Sequence, residues 1–233
     1  MSIKRDSEPM ITGTVAKKAD LIAMNEMGYQ SLELMETASA RVADYIKKKY
    51  QNQKGVRILV LSGVGNNGAD GIAVARMLLE DGFDPEVRVI GKLTKASWEF
   101  LYQTVIYQQA DGLLSFYPSG EEIPDADVCV DGIFGIGMHR PISGDYRDFI
   151  DEVNGHRYGE IIAIDAPSGI DTDTGELMGT GIRADVTITF GRNKAGLVTG
   201  AGKDYSGLVL VEDIGIPDEA YQKAASQIQS ASS

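Results

Sequence analysis

The sequence predicts an α/β protein built around a mostly parallel sheet. Short apolar runs recur along the chain at 56–61, 86–90, 128–130, 160–164, 185–190 and 207–211. Several end in a small or acidic residue, and helical patterns stand between the earlier ones, as expected for strands buried on both faces with their loops gathered along one edge.

Taken in order, residues 12–27 form the first helix: Thr12 or Thr14 is the N-cap, Ala16, Ala19, Leu21, Ile22 and Met24 follow, and Gly28 stops it. A second helix starts at Ser31, with Leu32, Met35, Ala38, Val42, Tyr45 and Ile46 at helical spacing and Lys47, Lys48 and Lys49 at a solvated C-terminal end. The run at 56–61 is the opening strand. Gly63, Gly65 and Gly68 then match G-x-G-x-x-G between that strand and a helix expected over about 70–79, the setting in which free amides and a helix N-terminus face an anion. Asn66 and Asn67 inside the loop and Asp70 at its end add polar groups that a purely steric turn does not require. The next strand, 86–90, ends in Gly91 and Lys92, so the acid that would hold a ribose 2′-hydroxyl is missing.

Asp84-Pro85 marks the turn into that strand, and residues 95–110 read as a helix containing Trp98, Phe100, Leu101, Val105 and Ile106, whose aromatics belong to the core. Residues 146–153 provide a crossover helix. The tail, 221–233, reads as a frayed helix or disordered. Nothing resembles a linker, so the 233 residues are expected to form one domain.

Composition excludes several classes. With 22 basic and 34 acidic residues the net charge is −12, which argues against a nucleic-acid or anionic-membrane surface. Cys129, in an apolar stretch, reads as a buried small hydrophobe, and with His139 and His156 it leaves no zinc spacing. No run is long enough to cross a bilayer, and the start lacks a signal peptide's apolar core, so a cytoplasmic location is expected.

Asp131 and Asp165 end apolar strands, where a charge is costly unless something pairs with it or uses it. Pro167 fixes the backbone after Asp165 and brings Ser168 near the same crevice. Asp171 and Asp173 read as solvated. Arg140 is either a phosphate partner or half of a surface ion pair. The glycine-rich stretch 190–207 reads as a mobile loop whose Arg192, Lys194 and Lys203 supply positive charge for a ligand. Neither a Ser/His/Asp triad nor a G-x-x-x-x-G-K-S/T loop is present.

The stretches 63–71, 130–141, 143–146, 164–171, 184–191 and 211–217 together resemble the NAD(P)H-hydrate epimerase family, over about residues 11–217. The resemblance implies a Rossmann-like three-layer αβα sandwich that interconverts the R and S forms of hydrated NADH or NADPH, with 218–233 as a tail. It implies that Asn66, Asn67, Gly68, Ala69 and Asp70, with Gly135, Ile136, Gly137, Met138, His139, Arg140 and Pro141, hold the substrate. It implies too that Asp165 touches the reacting end, where it is expected to act as catalytic acid/base, and that Asn67, Asp131 and Ser168 bind potassium. A homodimer and a separate NAD(P)H-hydrate dehydratase are the implied partners. The chain departs from the family pattern at Ala69, Ile136, Thr37 and Ser39, where glycine, threonine, asparagine and glycine are usual. Two other readings compete: a non-catalytic domain of the same fold, as in lipoprotein-handling or RNA-turnover scaffolds, and an ordinary NAD-dependent oxidoreductase. The joint presence of Asn67, Asp131, Asp165 and Ser168 favours the enzyme over a scaffold. The missing acid after the second strand counts against the oxidoreductase.

Overall fold

The computed structural model describes residues 9–118, 120 and 122–231. The first eight residues, where no signal peptide was read, and the last two of the tail lie outside it.

Helix α1 (Gly13–Met27) begins because the Thr12 hydroxyl accepts the Val15 amide at 3.1 Å, and it ends at Gly28, whose φ of 81° suits only a residue without a Cβ. Thr12 is therefore the cap, while the Thr14 amide and hydroxyl bind Asp173. Helix α2 (Ser31–Tyr50) follows, then strand β1 (Arg57–Gly63), helix α3 (Asn66–Glu80), strand β2 (Asp84–Ile90), helix α4 (Trp98–Gln109) and strands β3 (Leu113–Tyr117) and β4 (Ala126–Gly132). The chain continues through α5 (Asp145–Val153), β5 (Tyr158–Ile164), β6 (Val186–Phe190), the single turn α6 (Gly202–Tyr205), β7 (Leu208–Glu212) and α7 (Asp218–Ala231).

All seven strands are parallel, in the order β3-β2-β1-β4-β5-β6-β7. The order reverses between β1 and β4, so the carboxyl ends of these two strands open a crevice. Successive residues of β1 face opposite ways. Ile58 and Val60 join the core under α2, α3 and α4, whereas Leu59 and Leu61 join the core that contains Phe149, Ile150 and Val153 of α5. This makes the expected αβα sandwich, with loop residues Ile133, Met138, Ile142 and Ile182 completing the thinner layer beside α5.

Several local expectations are corrected. Helix α3 starts at Asn66, four residues earlier than expected, so Asn66 and Asn67 stand in its first turn and Gly65 is its N-cap. The early start depends on tight packing beneath it: the buried Ser62 hydroxyl donates to the carbonyls of Gly63 and Gly68 at 2.8 and 3.0 Å. Strand β3 has no counterpart in the sequence reading, because its five residues lie on the sheet edge without an alternating pattern. On α4, Phe100 is buried as expected, with Tyr107, but Trp98 is exposed rather than core, alongside the exposed Leu101, Tyr102 and Val105. The tail is neither frayed nor disordered over residues 221–231. It belongs to α7, whose Ala220, Tyr221 and Ala224 bury against Ala19, Ile22 and Ala23 of α1. The lysine run is not simply solvated either: Lys47 pairs with Asp44 and Asp81, and Lys49 reaches the buried Glu160 carboxylate at 2.6 Å beside the hydroxyls of Tyr45 and Tyr50.

The glycine turn yields a graded prediction. A Cβ on Gly68 would stand 1.8 Å from the Gly63 carbonyl oxygen and one on Gly63 2.3 Å from that of Ile133, whereas one on Gly65 meets nothing within 4 Å. Gly63→Ala and Gly68→Ala should each cost about 1–3 kcal/mol in denaturant unfolding, the usual range for overpacking, and Gly65→Ala should lie within ~0.5 kcal/mol of the parent.

Candidate functional site

A cleft of about 500 Å³ opens at the carboxyl ends of β1, β4 and β5. One wall is the first turn of α3. Its earliest hydrogen bond runs from the Ala69 amide to the Gly65 carbonyl, so the amides of Asn66, Asn67 and Gly68 have no helical partner and the positive end of the dipole faces the opening. A second wall is the loop after β4, carrying Ile133 to Met138. A third is α1 with Ala16, Lys17, Asp20 and Met24, and the floor holds Asp165, Phe190 and Lys194.

Asp165 occupies a left-handed conformation, φ 64°, at the end of β5. Its amide donates to the Ile188 carbonyl at 2.8 Å, which fixes the turn against β6 and directs the side chain to the cleft. The Oδ1 atom accepts from Lys194 Nζ at 2.6 Å, Thr189 Oγ1 at 3.0 Å and the Phe190 amide at 3.2 Å. Lys194 is 1% exposed and spends its other donors on Thr189 Oγ1 and the Phe190 carbonyl. No hydrogen bond or ion pair engages Asp165 Oδ2 among the described residues, leaving that oxygen available to a ligand.

Two more carboxyls line the cleft. Asp20 makes no hydrogen bond or ion pair among the described residues, and burial, aided by the nearby Asp165 charge, pushes it up to about 7 despite Lys194. Asp70 is pushed well above the usual carboxyl range by burial and by Asp165 and Asp20, against the hydrogen bond from Ser39.

Beneath the cleft, Asp131 is fully buried and pairs with no cationic side chain among the described residues. Its Oδ2 accepts the Ser168 amide at 2.7 Å, and its Oδ1 accepts the Ser168 hydroxyl at 2.6 Å and the Ile133 amide at 3.3 Å. Burial raises its carboxyl to about 6 even against these bonds. The buried Asn67 Nδ2 has no partner, and the Asn67 side chain lies against Gly135, where a Cβ would come within 2.7 Å of Oδ1. Asn67, against Gly135, and the Asp131–Ser168 pair, bonded to the Phe134 and Ile133 amides, thus bring amide, carboxylate and hydroxyl groups to the loop after β4.

Of the residues singled out for substrate, Asn66, Asn67, Asp70, Gly135, Ile136, Gly137, Met138 and Asp165 line the cleft. Gly68 and Ala69 do not; they are buried under the helix turn, where the methyl of Ala69 packs into the core. His139, Arg140 and Pro141 line an adjoining depression that shares Phe134, Gly137, Met138 and Tyr146 with the cleft. Asp171 is not solvated. Burial is outweighed there by the amides of Thr174 and Asp173 and by His139, 3.4 Å away, which hold the carboxyl below its ordinary value. The stretch around Arg192 and Lys194 is ordered, and its cations are engaged: Arg192 pairs with Asp218 and lies over the Tyr221 ring. The sequence reading missed Asp20 and the role of Lys194. A signal for Asp20 existed, since it falls four residues from both Ala16 and Met24 on the inward face of α1.

Comparison with known proteins places this arrangement among relatives. Residues 31–196 match the family model described as YjeF-related protein N-terminus. A protein of Limosilactobacillus fermentum named NAD(P)H-hydrate epimerase is 41% identical over 207 residues, covering 89% of this chain and 97% of the relative. Another of that name from Limosilactobacillus reuteri is 37% identical over 215 residues, covering 90% and 97%. Among solved structures, that of the yeast protein ynu0 (YNL200c) superposes with a TM-score of 0.78 at 20% identity over 93% of both chains, a likeness of fold.

The crowding of carboxyls predicts a stability cost. In the folded protein Asp20 holds its proton up to about pH 7, while its ordinary value is 3.8, so the folded state binds more protons across that interval and stability falls as pH rises through it. Asp20→Asn should therefore stabilise the protein by ~1–3 kcal/mol at pH 8, with a smaller gain at pH 5. Thermal unfolding at both pH values measures this directly, and a gain independent of pH would contradict it.

Proposed function

The chain belongs to the NAD(P)H-hydrate epimerase family, whose YjeF-related N-terminal domain it carries, and from that premise we propose that the cleft at the β1/β4 switch point is its active site, with Asp165 moving the proton. The enzyme is an isomerase of nicotinamide nucleotide repair that interconverts the R and S forms of hydrated NADH and NADPH. The observation that carries the site assignment is the Asp165 carboxylate: strained toward the cleft, anchored through one oxygen by Lys194, and open at the other.

The substrate's hydrated ring bears a hydroxyl on the carbon beside the ring nitrogen. Its configuration is lost by expelling that hydroxyl or by opening the ring, and each route moves a proton, an effect worth about 10²–10⁴-fold when a side chain is placed to do it. The unpaired amides of α3 suit the dinucleotide's phosphates. Asn66, Asn67, Asp70 and the loop from Gly135 to Pro141 line the path between phosphates and ring, and Gly68 and Ala69 shape the turn from below.

A monovalent cation, potassium, fits Asn67, Asp131 and Ser168. Their donors include hard oxygens, the Asp131 charge lacks a cationic partner, and the unpartnered Asn67 amide can turn to present its oxygen. Bound there, the ion would neutralise Asp131 and stiffen the loop beneath the substrate. A homodimer is supported by the exposed Trp98, Leu101, Tyr102 and Val105 on α4, an apolar face suited to a second copy; a monomer by light scattering at every concentration would remove this claim. A separate NAD(P)H-hydrate dehydratase would consume one epimer. No helix among the described residues is long and apolar enough to cross a membrane. Because the substrate forms wherever reduced nicotinamide dinucleotides are held, we place the enzyme in the cytoplasm.

Two variants separate binding from chemistry. Asp165→Asn should still bind hydrated NADPH and lose about 10²–10⁴-fold in epimerisation, read as re-equilibration of the epimers after one is removed. Gly65→Val should fold normally, because the position is open, and lose binding by filling the approach to the α3 amides. Near-parental turnover in a folded Asp165→Asn protein would refute the catalytic assignment, and undiminished binding by Gly65→Val would make the turn merely steric. Replacing potassium with tetramethylammonium should lower turnover; unchanged activity would remove the cation.

A further inference from the structure

Three carboxyls, Asp20, Asp70 and Asp165, line the cleft, and a single buried ammonium, Lys194, stands among them. Lys194 bonds to Asp165 and to neither of the others. If all three acids were ionised, the cleft would hold two uncompensated negative charges before a substrate with anionic phosphates arrived. Like charges in a desolvated site are relieved by protonation, and burial together with the neighbouring carboxyls raises both Asp20 and Asp70, neither of which has Lys194 bonded to it.

The two protonated candidates are placed differently. Asp70 sits on α3, where the Ser39 hydroxyl donates to its main-chain carbonyl at 3.2 Å. Asp20 stands on another wall, α1, with no hydrogen bond or ion pair to any described residue. The charged and titratable groups around it are Asp165 and Lys194 on the floor, Asp70 on α3, Tyr221 on α7, and Lys17 on its own helix at the cleft rim. None of them is bonded to its carboxyl.

We propose that Asp20 is a second catalytic residue, the general acid that works opposite Asp165 across the substrate ring. This rests on the active-site reading above. In one direction, the bond between the ring carbon and its hydroxyl oxygen breaks, and the electron pair leaves with oxygen. That oxygen takes the Asp20 proton and departs as water, while the ring nitrogen's lone pair forms the C=N bond of an iminium. A water then adds to the other face of the same carbon, the C=N pair returns to nitrogen, and Asp165 accepts the proton that the water loses. One proton has passed from Asp20 to Asp165, and exchange with solvent through the open cleft resets the pair. The reverse reaction exchanges their roles. A carboxyl that titrates near neutrality is suited to both parts.

The test compares three variants and one isotope measurement. Asp20→Asn should bind hydrated NADPH within about threefold of the parent and lose about 10²-fold or more in kcat, and Asp20→Glu, which keeps the acid, should recover a substantial part of that loss. Asp165→Asn is assayed beside them. If it is inactive while Asp20→Asn keeps kcat within about threefold of the parent, the proposal fails and the reading of Asp165 stands; if Asp165→Asn is itself near-parental, the active-site reading fails. The second measurement needs no variant. In water enriched in oxygen-18, the parent should place one solvent oxygen on the substrate per epimerisation, and epimerisation without incorporation would overturn the proposed step.

Discussion

The buried ion pair between Asp165 and Lys194 is the constraint on which the site depends. An ammonium with 1% exposure is tolerated only because each of its donors is occupied, by Asp165, Thr189 and the Phe190 carbonyl. The pair joins the end of β5 to the segment after β6. It also reaches further, because the backbone around Lys194 bridges to Ile11: the Ile11 amide donates to the Asn193 carbonyl at 3.0 Å and the Ala195 amide to the Ile11 carbonyl at 2.8 Å. Ile11 immediately precedes the cap of α1. The residue that anchors Asp165 therefore also positions the helix that carries Asp20, and α7 packs onto the outside of that helix.

A second constraint comes from the sheet. Parallel strands place all their carboxyl ends on one edge, and the reversal of order between β1 and β4 leaves a gap there. At that gap stands the α3 N-terminus, which favours anions, and beneath it lies Asp131, whose buried carboxyl pairs with no cation among the described residues. On the proposed reading, phosphate, cation and reacting ring would have distinct places around one cleft. The net acidity of the chain is compatible with an anionic substrate if, as proposed, the anion meets main-chain amides rather than a basic surface.

Strands β1, β2, β4, β5, β6 and β7 were legible because each is a β-branched or aliphatic run long enough to stand out. Strand β3 was not, since five residues at an edge with one weakly buried side carry no periodic signature. The start of α3 was misplaced because glycine and asparagine read as loop, and only the Ser62 bonds and the close fit of Gly68 draw them into a helical turn. The tail of Ala, Ser and Gln looked too polar to dock, yet the small residues Ala220 and Ala224 let it approach α1 closely. Trp98 was read as core because its aromatic type outweighed its place on the outward side of α4. In the site, the acids that end strands were legible from their cost. The anchoring role of Lys194 was not, because it lies in a contact between segments distant in sequence, and Asp20, although its place on the inward face of α1 was readable, ends no strand and so did not stand out.

The account stands most directly on where the substrate lies. A crystal structure of the parent with hydrated NADPH should place the diphosphate at the Asn66, Asn67 and Gly68 amides and the hydroxyl-bearing ring carbon beside the free oxygen of Asp165. A dinucleotide bound with its diphosphate away from α3, or with its hydrated ring remote from Asp165, would contradict it.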